Sequence, residues 1–350
     1  MVKRELLNFA IDHLTLNIGF KLGTSEESKK ILYIVKMFEA LESIGLNDTN
    51  TNSITDLTWD PFGHEIDVFC ERSIHRNVMY AIHFGRYRIM RIEKVPPEST
   101  MRENLKNYNY DYRITFYGTL FALSRINQID HLDFLKPFLA DISNHFVQHS
   151  ISRIDICADI AGTSVLSIKR GITGTKKKMK DFSRIKENPV TKEPETMYYG
   201  QGANDWLARF YNKILDIRVK NKESLYPDYL DHEKVTRLEI EAKSAISQKF
   251  KITLPKILEL GFLLSVYEQV LINKYVKFNI VKFIKSELIK NGLKEIQATR
   301  TTLTYDQLTE TAMFKRFQNI AKKLTDTYGV TNKRLIESIK TLTEDYPNSK

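Results

Sequence analysis

Residues 207–213, with the sequence LARFYNK, form the stretch from which the fold can be predicted. Two similar stretches flank it along the chain: residues 153–159, RIDICAD, and residues 237–243, RLEIEAK. In each stretch, apolar residues alternate with polar or charged ones. Side chains on a β-strand point alternately to the two faces of a sheet, so this alternation predicts strands with one buried face.

If the three strands share a sheet, their apolar residues form one face and their charged residues the other. The apolar set comprises Ile154, Ile156, Ala158, Ala208, Phe210, Leu238, Ile240 and Ala242. The opposite set comprises Arg153, Asp155, Cys157, Asp159, Arg209, Tyr211, Lys213, Arg237, Glu239, Glu241 and Lys243. The second face therefore combines carboxylates, a tyrosine flanked by cations and two further arginines, a set suited to chemistry.

The rest of the sequence mixes strands and helices. Alternating patterns predict strands near residues 10–20, 79–84, 87–92, 112–117 and 197–200, and helical periodicity predicts helices at 24–46 and 130–148. Helical patterns dominate beyond about residue 245. We therefore predict an α+β fold, mainly an antiparallel sheet with flanking helices, divided into a domain of residues 1–245 and a helical region of residues 246–350.

The composition favours a polyanionic partner. The 350 residues carry a formal net charge of +10 and have a pI of about 9.2. Nucleic acid is the first candidate partner and an anionic membrane surface the second, while a merely basic soluble protein is the plain alternative.

The cysteines and apolar segments predict a cytoplasmic protein. The two cysteines, Cys70 and Cys157, match no metal-binding spacing and no disulfide framework, which fits a reducing compartment. The most apolar window, residues 257–272, is interrupted by two glutamates and is too short to span a bilayer, so we predict a buried helix there and no membrane partner. Residues 1–5 lead into no apolar core of the signal-peptide type.

Several catalytic motifs are missing from the sequence. There is no P-loop, no Gly-x-Gly-x-x-Gly and no Gly-x-Ser-x-Gly pattern, so nothing indicates nucleotide hydrolysis or a hydrolase triad. No His-x-His pair occurs either. His145 and His149 are predicted to share a helix face, where a surface pair is a simpler interpretation than a metal site.

Two basic segments could contact phosphates. Residues 167–192 contain nine Lys or Arg residues against two acids and are predicted to form a basic loop or hairpin, with Lys176, Lys177 and Lys178 at its centre. Residues 314–335 combine a basic amphipathic helix with a turn that is compatible with a helix-turn-helix. A solvated loop and a plain helical bundle are the respective alternatives.

Tyr211 is the candidate nucleophile. A phenol with an ordinary pKa near 10 attacks poorly, and we expect Arg209 and Lys213, two residues away on the same face, to stabilise the phenolate. Attack on a phosphodiester would also need a divalent cation, for which carboxylates are suitable ligands. The alternative is an ordinary strand tyrosine, with the acids of this face paired to neighbouring Arg and Lys side chains.

Four short motifs, in this order, resemble those of the Rep_trans-type rolling-circle replication initiation factors. They are RIDICAD at 153–159, YYG at 198–200, RFYNK at 209–213 and RLEIEAK at 237–243. The resemblance covers about residues 150–245, with a weaker match at residues 11–15, and relatives of the family include relaxases and phage replication proteins.

The resemblance implies a DNA nicking-closing enzyme. Tyr211 would attack one strand at a replication origin, forming a 5′-phosphotyrosine link and a free 3′-hydroxyl, and would later rejoin the strand. Arg209 and Lys213 would assist, and Mg²⁺ or Mn²⁺ would be held by acids in place of histidines. The residues at the matching acidic positions are Asp155, Asp159, Glu239 and Glu241, with Asp12 as a further candidate, and the expected DNA contacts are Arg153, Arg237, Lys176, Lys177 and Lys178.

The expected partner is origin DNA, single-stranded or extruded from the duplex at the nick. A host helicase and a second copy of the chain are further expected partners, and residues 246–350 are expected to serve origin recognition or oligomerisation. Three other functions stay open: a relaxase for conjugative transfer, which shares the mechanism; a DNA-binding regulator without chemistry; and a packaging protein that binds nucleic acid by charge alone.

Overall fold

The computed structural model describes residues 4–20, 24–43, 51–54, 66–72, 78–95, 110–128, 132–145, 147–173, 184–199, 206–271 and 277–292. All of them belong to one compact unit, Met1–Ala298. Residues 314–335, with the predicted helix-turn-helix, and Lys176, Lys177 and Lys178 lie outside the described residues.

Within the described residues, eleven strands form one antiparallel sheet. Its strands are β1 (Glu5–Gly19), β2 (Thr51–Ile54), β3 (Ile66–Arg72), β4 (Val78–Phe84), β5 (Tyr87–Lys94), β6 (Tyr110–Phe116), β7 (Gln148–Ala161), β9 (Arg184–Glu187), β10 (Pro194–Tyr199), β11 (Trp206–Asn212) and β12 (Val235–Lys243). Their order across the sheet is β2-β3-β4-β5-β6-β1-β7-β12-β11-β10-β9. Two short strands, β8 (Ile172–Thr173) and β13 (Lys277–Phe278), pair separately.

Helices connect these strands and cover the sheet. The α-helices are α1 (Glu26–Lys30), α2 (Tyr33–Ser43), α3 (Gly118–Ile126), α4 (Lys136–His145), α5 (Val165–Gly171), α6 (Lys213–Val219), α7 (Ser244–Lys249), α8 (Leu254–Ile257), α9 (Leu260–Leu271) and α10 (Asn279–Lys290). Short 3₁₀ turns occupy Asp133–Leu135, Glu223–Leu225 and Pro227–Tyr229. The α+β prediction with a mainly antiparallel sheet is confirmed.

The three motif strands are neighbours in the sheet, in the order β7-β12-β11. Their apolar residues, such as Ile156, Phe210 and Ile240, are completely buried on one face, as the alternation predicted. In the register, Tyr211 lies opposite Arg237, which in turn lies opposite Asp159. The first and last of the three motif strands in sequence, β7 and β12, therefore pair directly with each other, and β11, which carries Tyr211, pairs with β12.

Helices pack on the apolar face of the sheet. From α2, the Phe38 ring makes edge contacts with Tyr80 and Tyr112. From α9, Tyr267 packs against the ring of Phe9 and donates a hydrogen bond to the carbonyl oxygen of Leu238 at 3.0 Å. The predicted buried helix in the window 257–272 is thus present as α9, while the division at residue 245 stays a prediction.

Some element boundaries differ from the prediction. The helix predicted at 24–46 is two helices, and the helix predicted at 130–148 ends at His145. Beyond it, Gln148 and His149 pair with β1, so His145 and His149 do not share a helix face, because strand pairing overrides the local helical pattern. The first residues of the predicted basic segment, 167–171, belong to α5 (Val165–Gly171), since Val165 and Ile168 are buried at helical spacing.

No helix in the described part of the chain has both the length and the apolar character that a membrane span requires.

Candidate active site around Tyr211

A cavity of about 670 Å³ lies over the charged face of β1, β7, β12 and β11. Tyr211 forms part of its wall and is half-buried. The Tyr211 hydroxyl donates a hydrogen bond to Glu239 Oε2 at 3.1 Å, across the pairing of β11 with β12. Because Glu239 is only 1% exposed, the phenol has a carboxylate acceptor in a largely dehydrated setting.

Arg209 bridges two of the carboxylates at this site. Its Nη2 donates a short hydrogen bond to Glu239 Oε1 and lies 3.6 Å from Asp155 Oδ2. Its position in the register, directly opposite Glu239, explains the contact. Arg209 therefore holds the acid that accepts the Tyr211 hydrogen bond.

Arg153 provides the second cation for these acids. It donates from Nε and Nη2 to the two oxygens of Asp155, at 2.8 and 2.5 Å, and lies 3.0 Å from Glu241. Despite this contact, burial together with the nearby charge of Glu239 raises the pKa of Asp155 to about 8. The pairing of acids with neighbouring arginines is what the plain interpretation of this face predicted.

The pKa of Tyr211 is shifted in the direction opposite to the one expected. Burial, followed by the negative charge of Glu239, raises the pKa of the phenol well above its usual value. Arg209 is engaged with carboxylates, as described above. Lys213 follows the end of β11 and is the first residue of α6, whose N-cap is the Asn212 side chain.

The Lys213 side chain is buried at the edge of the cavity. Its ammonium group lies 3.3 Å from Asp216 and 4.5 Å from the centre of the Tyr226 ring. The Tyr211 hydroxyl therefore has a carboxylate as its hydrogen-bond acceptor. The nearby cations contact other groups: Arg209 binds carboxylates, and Lys213 contacts Asp216 and the Tyr226 ring.

A second network is centred on Arg237, which is 1% exposed, and reaches the cavity wall at Asp12. Its Nε and Nη2 donate to the two oxygens of Asp159 at 2.6 and 2.7 Å, and its Nη1 donates to Asp12 Oδ1 at 2.5 Å. Tyr229 also donates to Asp159, at 2.7 Å. The expected phosphate contact of Arg237 would require these buried ion pairs to break.

Asp12 reaches this network because β1 is irregular at that point. The register with β7 shifts between Ile11 and His13, and an irregularity of this kind re-aims a side chain. Gly118 at the start of α3 leaves the necessary space, since a Cβ there would lie 2.7 Å from the Asp12 carbonyl oxygen and 2.8 Å from Oδ1. Although burial opposes its charge, Arg237 and Lys213 hold the pKa of Asp12 below its usual range.

Further cations and tyrosines complete the cavity, and all but Lys186 and Tyr198 lie outside the segments that the sequence singled out for function. They come from the β4–β5 turn and the start of β5, from the residue before α3, from β9 and β10, and from the segment after α6. The cations are Arg86, Arg88, Lys186, Lys220 and Lys222, and the tyrosines are Tyr87, Tyr117, Tyr198 and Tyr226. The basic, tyrosine-containing character of residues 216–235 was a signal, but its proximity to residues 86–88 is set only by the fold.

The β4–β5 turn contacts the segment after α6 across the cavity. Arg86 donates to the carbonyl oxygen of Asn221 at 2.7 Å, and the hydroxyl groups of Tyr87 and Ser224 are 2.8 Å apart. Gly85 permits the turn, with φ of +52°. These contacts give the cavity a basic rim from two separate parts of the chain.

The four acids expected to hold a metal do not all face this cavity. Asp155 and Glu239 line it, whereas Asp159 is enclosed by Arg237 and Tyr229, and Glu241 lines a neighbouring groove. No group of three or more His, Cys, Asp or Glu residues in the described ranges has a geometry that could hold a metal ion. Asp155 and Glu239 form a pair whose buried negative charge needs a positive partner, and Arg209 supplies it in this structure.

No family model matches the sequence, and no curated protein matches it. One similar solved structure is that of the rolling circle replication initiator protein from Geobacillus stearothermophilus. The TM-score is 0.43 at 14% sequence identity, over 86% of this chain and 100% of that one. Because a TM-score below 0.5 does not establish a shared fold, the function proposed below rests on the residues of the site.

The fold thus brings Tyr211, Arg209, Lys213, Asp155 and Glu239 to one cavity, together with Arg153. It places Arg237 and Asp159 in the protein interior.

Proposed function

We propose that this protein is a DNA nicking-closing enzyme that initiates rolling-circle replication, with Tyr211 as its nucleophile. The observation that carries the proposal is the hydrogen bond from Tyr211 to Glu239 on the wall of a cavity rimmed with cations. A phenol that is hydrogen-bonded to a carboxylate can give up its proton to that carboxylate as it attacks, and basic side chains around the cavity suit a phosphodiester. The order of the four sequence motifs supports the same function.

In the proposed reaction, Tyr211 Oη attacks the phosphorus of one phosphodiester while its proton passes to Glu239 Oε2. The bond from phosphorus to the 3′-oxygen breaks, and the leaving 3′-oxygen takes a proton to become a free 3′-hydroxyl. The protein then carries a 5′-phosphotyrosine. Rejoining is the reverse step, in which a 3′-hydroxyl attacks the phosphotyrosine and Tyr211 recovers a proton.

The cavity cations would hold the phosphates around the scissile bond. Arg88, Lys186 and Lys222 line the same cavity as Tyr211 and come from three separate parts of the chain. Phosphate contacts of this kind position a strand without reading its sequence. We assign this role to the rim cations and to Arg153, and we assign Arg237 to holding Asp12 and Asp159 in place.

Asp155 and Glu239 are the residues that would hold Mg²⁺ or Mn²⁺, because they alone of the four expected acids line the cavity. Two carboxylates completed by water and substrate oxygens are a common donor set for these ions. A bound divalent cation would neutralise the phosphate oxygens during the attack. Arg209, which now neutralises the pair, would have to move aside.

The remaining parts of the proposal concern the cellular setting. The target strand would be single or extruded, since the Tyr211 hydroxyl lies within a cavity and not on a projecting element. A cytoplasmic location, a host helicase and a second copy of the chain belong to the same proposal. Conjugative transfer would use the same chemistry as replication.

One observation favours a second candidate, a DNA-binding regulator without chemistry. Asp155 and Glu239 are already paired with Arg153 and Arg209, and the pKa of Tyr211 is raised. Such a protein would bind DNA without a metal and would form no covalent link.

The deciding experiment uses single-stranded oligonucleotides that cover the replicon carrying this gene, with Mn²⁺ or Mg²⁺ and the full chain. The readout is a protein–DNA adduct that survives SDS. We expect the adduct to disappear with EDTA and in Tyr211→Phe. It should persist in the matched control Tyr33→Phe, because the Tyr33 hydroxyl on α2 has no hydrogen-bond partner among the residues that the structure describes.

Three results would change the proposal. DNA binding without an adduct for any replicon sequence would favour the regulator. An adduct that survives Tyr211→Phe would mean that another residue is the nucleophile. An adduct formed in EDTA would remove the metal from the mechanism.

A further inference from the structure

A second groove, of about 520 Å³, lies on the same face of the sheet as the Tyr211 cavity. Its floor is a row of residues that the strand register places side by side across β5, β6, β1, β7 and β12. The row reads Arg91, Thr115, Thr15, Arg153 and Lys243, each opposite the next. With strands about 4.8 Å apart, this row is about 19 Å long.

The groove is chemically suited to phosphates. Its lining contains four cations, Arg91, Arg113, Arg153 and Lys243, against one carboxylate, Glu241. Even when Glu93, which lies opposite Arg113 in the register, and Asp155, which Arg153 binds, are counted, the cations exceed the carboxylates by one. An excess of this kind over a sheet face attracts a polyanion.

The groove floor adds uncharged hydrogen-bonding groups. The hydroxyl groups of Thr15 and Thr115 are 3.5 Å apart, and Ser152 stands beside them. Serine and threonine hydroxyls are common partners of phosphate oxygens in protein–DNA contacts, alongside Arg and Lys. The groove therefore has the set of donors that a strand backbone needs, and no aliphatic side chain of the described residues lines it.

The groove and the cavity lie side by side. His13, Tyr117 and Arg153 line both of them. The His13 and Tyr117 rings meet edge to face with centroids 5.7 Å apart, so an aromatic wall separates the two spaces. An aromatic ring in this position offers a surface on which a base can stack.

We propose that this groove binds the phosphodiester backbone of the single strand that adjoins the scissile phosphate. The proposal rests on the proposed function, since it assumes that a strand occupies the Tyr211 cavity. Lys243 is six residues along β12 from Arg237, the register partner of Tyr211, which places the row about 20 Å from Tyr211 along the strands. At about 3.4 Å per stacked nucleotide, the groove would contact the strand about six nucleotides from the cut. In an extended strand each nucleotide covers a greater length, so fewer nucleotides would separate the contact from the cut.

The test compares the wild-type chain with the double variant Arg91→Gln/Lys243→Gln, which removes a cation from each end of the row. Oligo-dT strands of 4 to 24 nucleotides are titrated by fluorescence anisotropy at several salt concentrations. The control is Lys36→Gln, an exposed lysine on α2, the helix that packs on the opposite face. Arg113→Gln provides a second variant should the double variant fold poorly.

We expect the wild-type affinity to rise with length until a strand spans both the cavity and the groove. The double variant should lose that gain. The slope of log affinity against log salt concentration should also become shallower by about 1.4, because each of the two lost phosphate contacts with a single strand contributes about 0.7. Lys36→Gln should match the wild type. Wild-type length dependence and salt slope in both groove variants would overturn the proposal.

The covalent adduct separates the two proposals. Adduct formation by the wild type, with no effect of the groove variants on the binding of long strands, would refute the groove and leave the nicking function intact. A clear groove effect without any adduct would support strand binding there and refute nicking.

Discussion

The hydroxyl of Tyr211 donates to Glu239 Oε2 at 3.1 Å, while the other oxygen of the same carboxylate is bound by Arg209. This arrangement gives Glu239 two tasks, as the acceptor of a proton and as the partner of a cation. Because the two contacts use different oxygens, a cation can neutralise one oxygen of Glu239 while the other accepts the proton.

Glu239→Gln removes the base and keeps a side chain of similar size. We expect the rate of adduct formation to fall about 10²- to 10⁴-fold, because general-base catalysis contributes about that much. Single-turnover formation of the adduct on a labelled strand is the measurement. Glu241→Gln, two residues along the same strand and without contact to Tyr211, is the control for β12. Equal rates for Glu239→Gln and the wild type would exclude Glu239 as the base.

Tyr211 should stay protonated throughout the neutral and mildly alkaline range. Burial and the negative charge of Glu239 raise its pKa, so the neutral phenol is favoured at pH values where an ordinary tyrosine, with a pKa near 10, begins to ionise. The measurement is the ultraviolet titration of the wild type minus that of Tyr211→Phe. We expect no phenolate signal in this difference below about pH 10. A component that ionises near pH 8 would show that cations activate the phenol.

Arg237→Met should destabilise the protein strongly. The variant leaves Asp159 buried without its bidentate partner, and removing one member of a buried ion pair costs about 3–5 kcal/mol. Urea unfolding gives the free energy of unfolding for comparison with the wild type. The control is Lys290→Ala, which removes an exposed pair with Glu287 and should change stability little. A loss below about 1 kcal/mol would mean that the network is not needed for stability.

Gly118→Ala should displace Asp12. The added Cβ would lie 2.7 Å from the Asp12 carbonyl oxygen, which is backbone and cannot rotate away. We expect a destabilisation of about 1–3 kcal/mol, typical of overpacking, together with a slower nicking reaction. Urea unfolding and adduct formation are measured side by side. Ile126→Ala, at the partly exposed end of the same helix, controls for changes in helix stability. Unchanged stability would show that β1 can shift to accommodate the methyl group.

Asp155→Asn should weaken the binding of a divalent cation. We expect the Mn²⁺ concentration for half-maximal adduct formation to rise at least about tenfold, because an amide is a poorer ligand than a carboxylate. The Mn²⁺-dependent shift of the unfolding temperature gives a readout that does not depend on activity. Asp216→Asn, which changes another acid of the cavity lining that pairs with Lys213 and Lys220, is the comparison variant. Identical Mn²⁺ responses in Asp155→Asn and the wild type would remove Asp155 from the metal site.

The sequence by itself determined the strand character and the two faces of the motif segments. Alternation in 153–159, 207–213 and 237–243 determines which residues share a face, because a one-residue shift would move every apolar side chain to the opposite face. It also placed Tyr211, Asp155 and Glu239 on one face. Lys213 was the exception, since the Asn212 side chain caps a helix that begins there.

Only the tertiary structure decided which charges meet. The sheet order β7-β12-β11 sets Arg237 opposite Asp159 and Arg209 opposite Glu239, and no local pattern encodes such long-range pairings. As a result, Asp155 and Glu239 lie at the cavity, Asp159 lies in the interior and Glu241 lies in the groove. The basic rim and the second groove arise in the same way, from segments far apart in sequence that pack over one sheet.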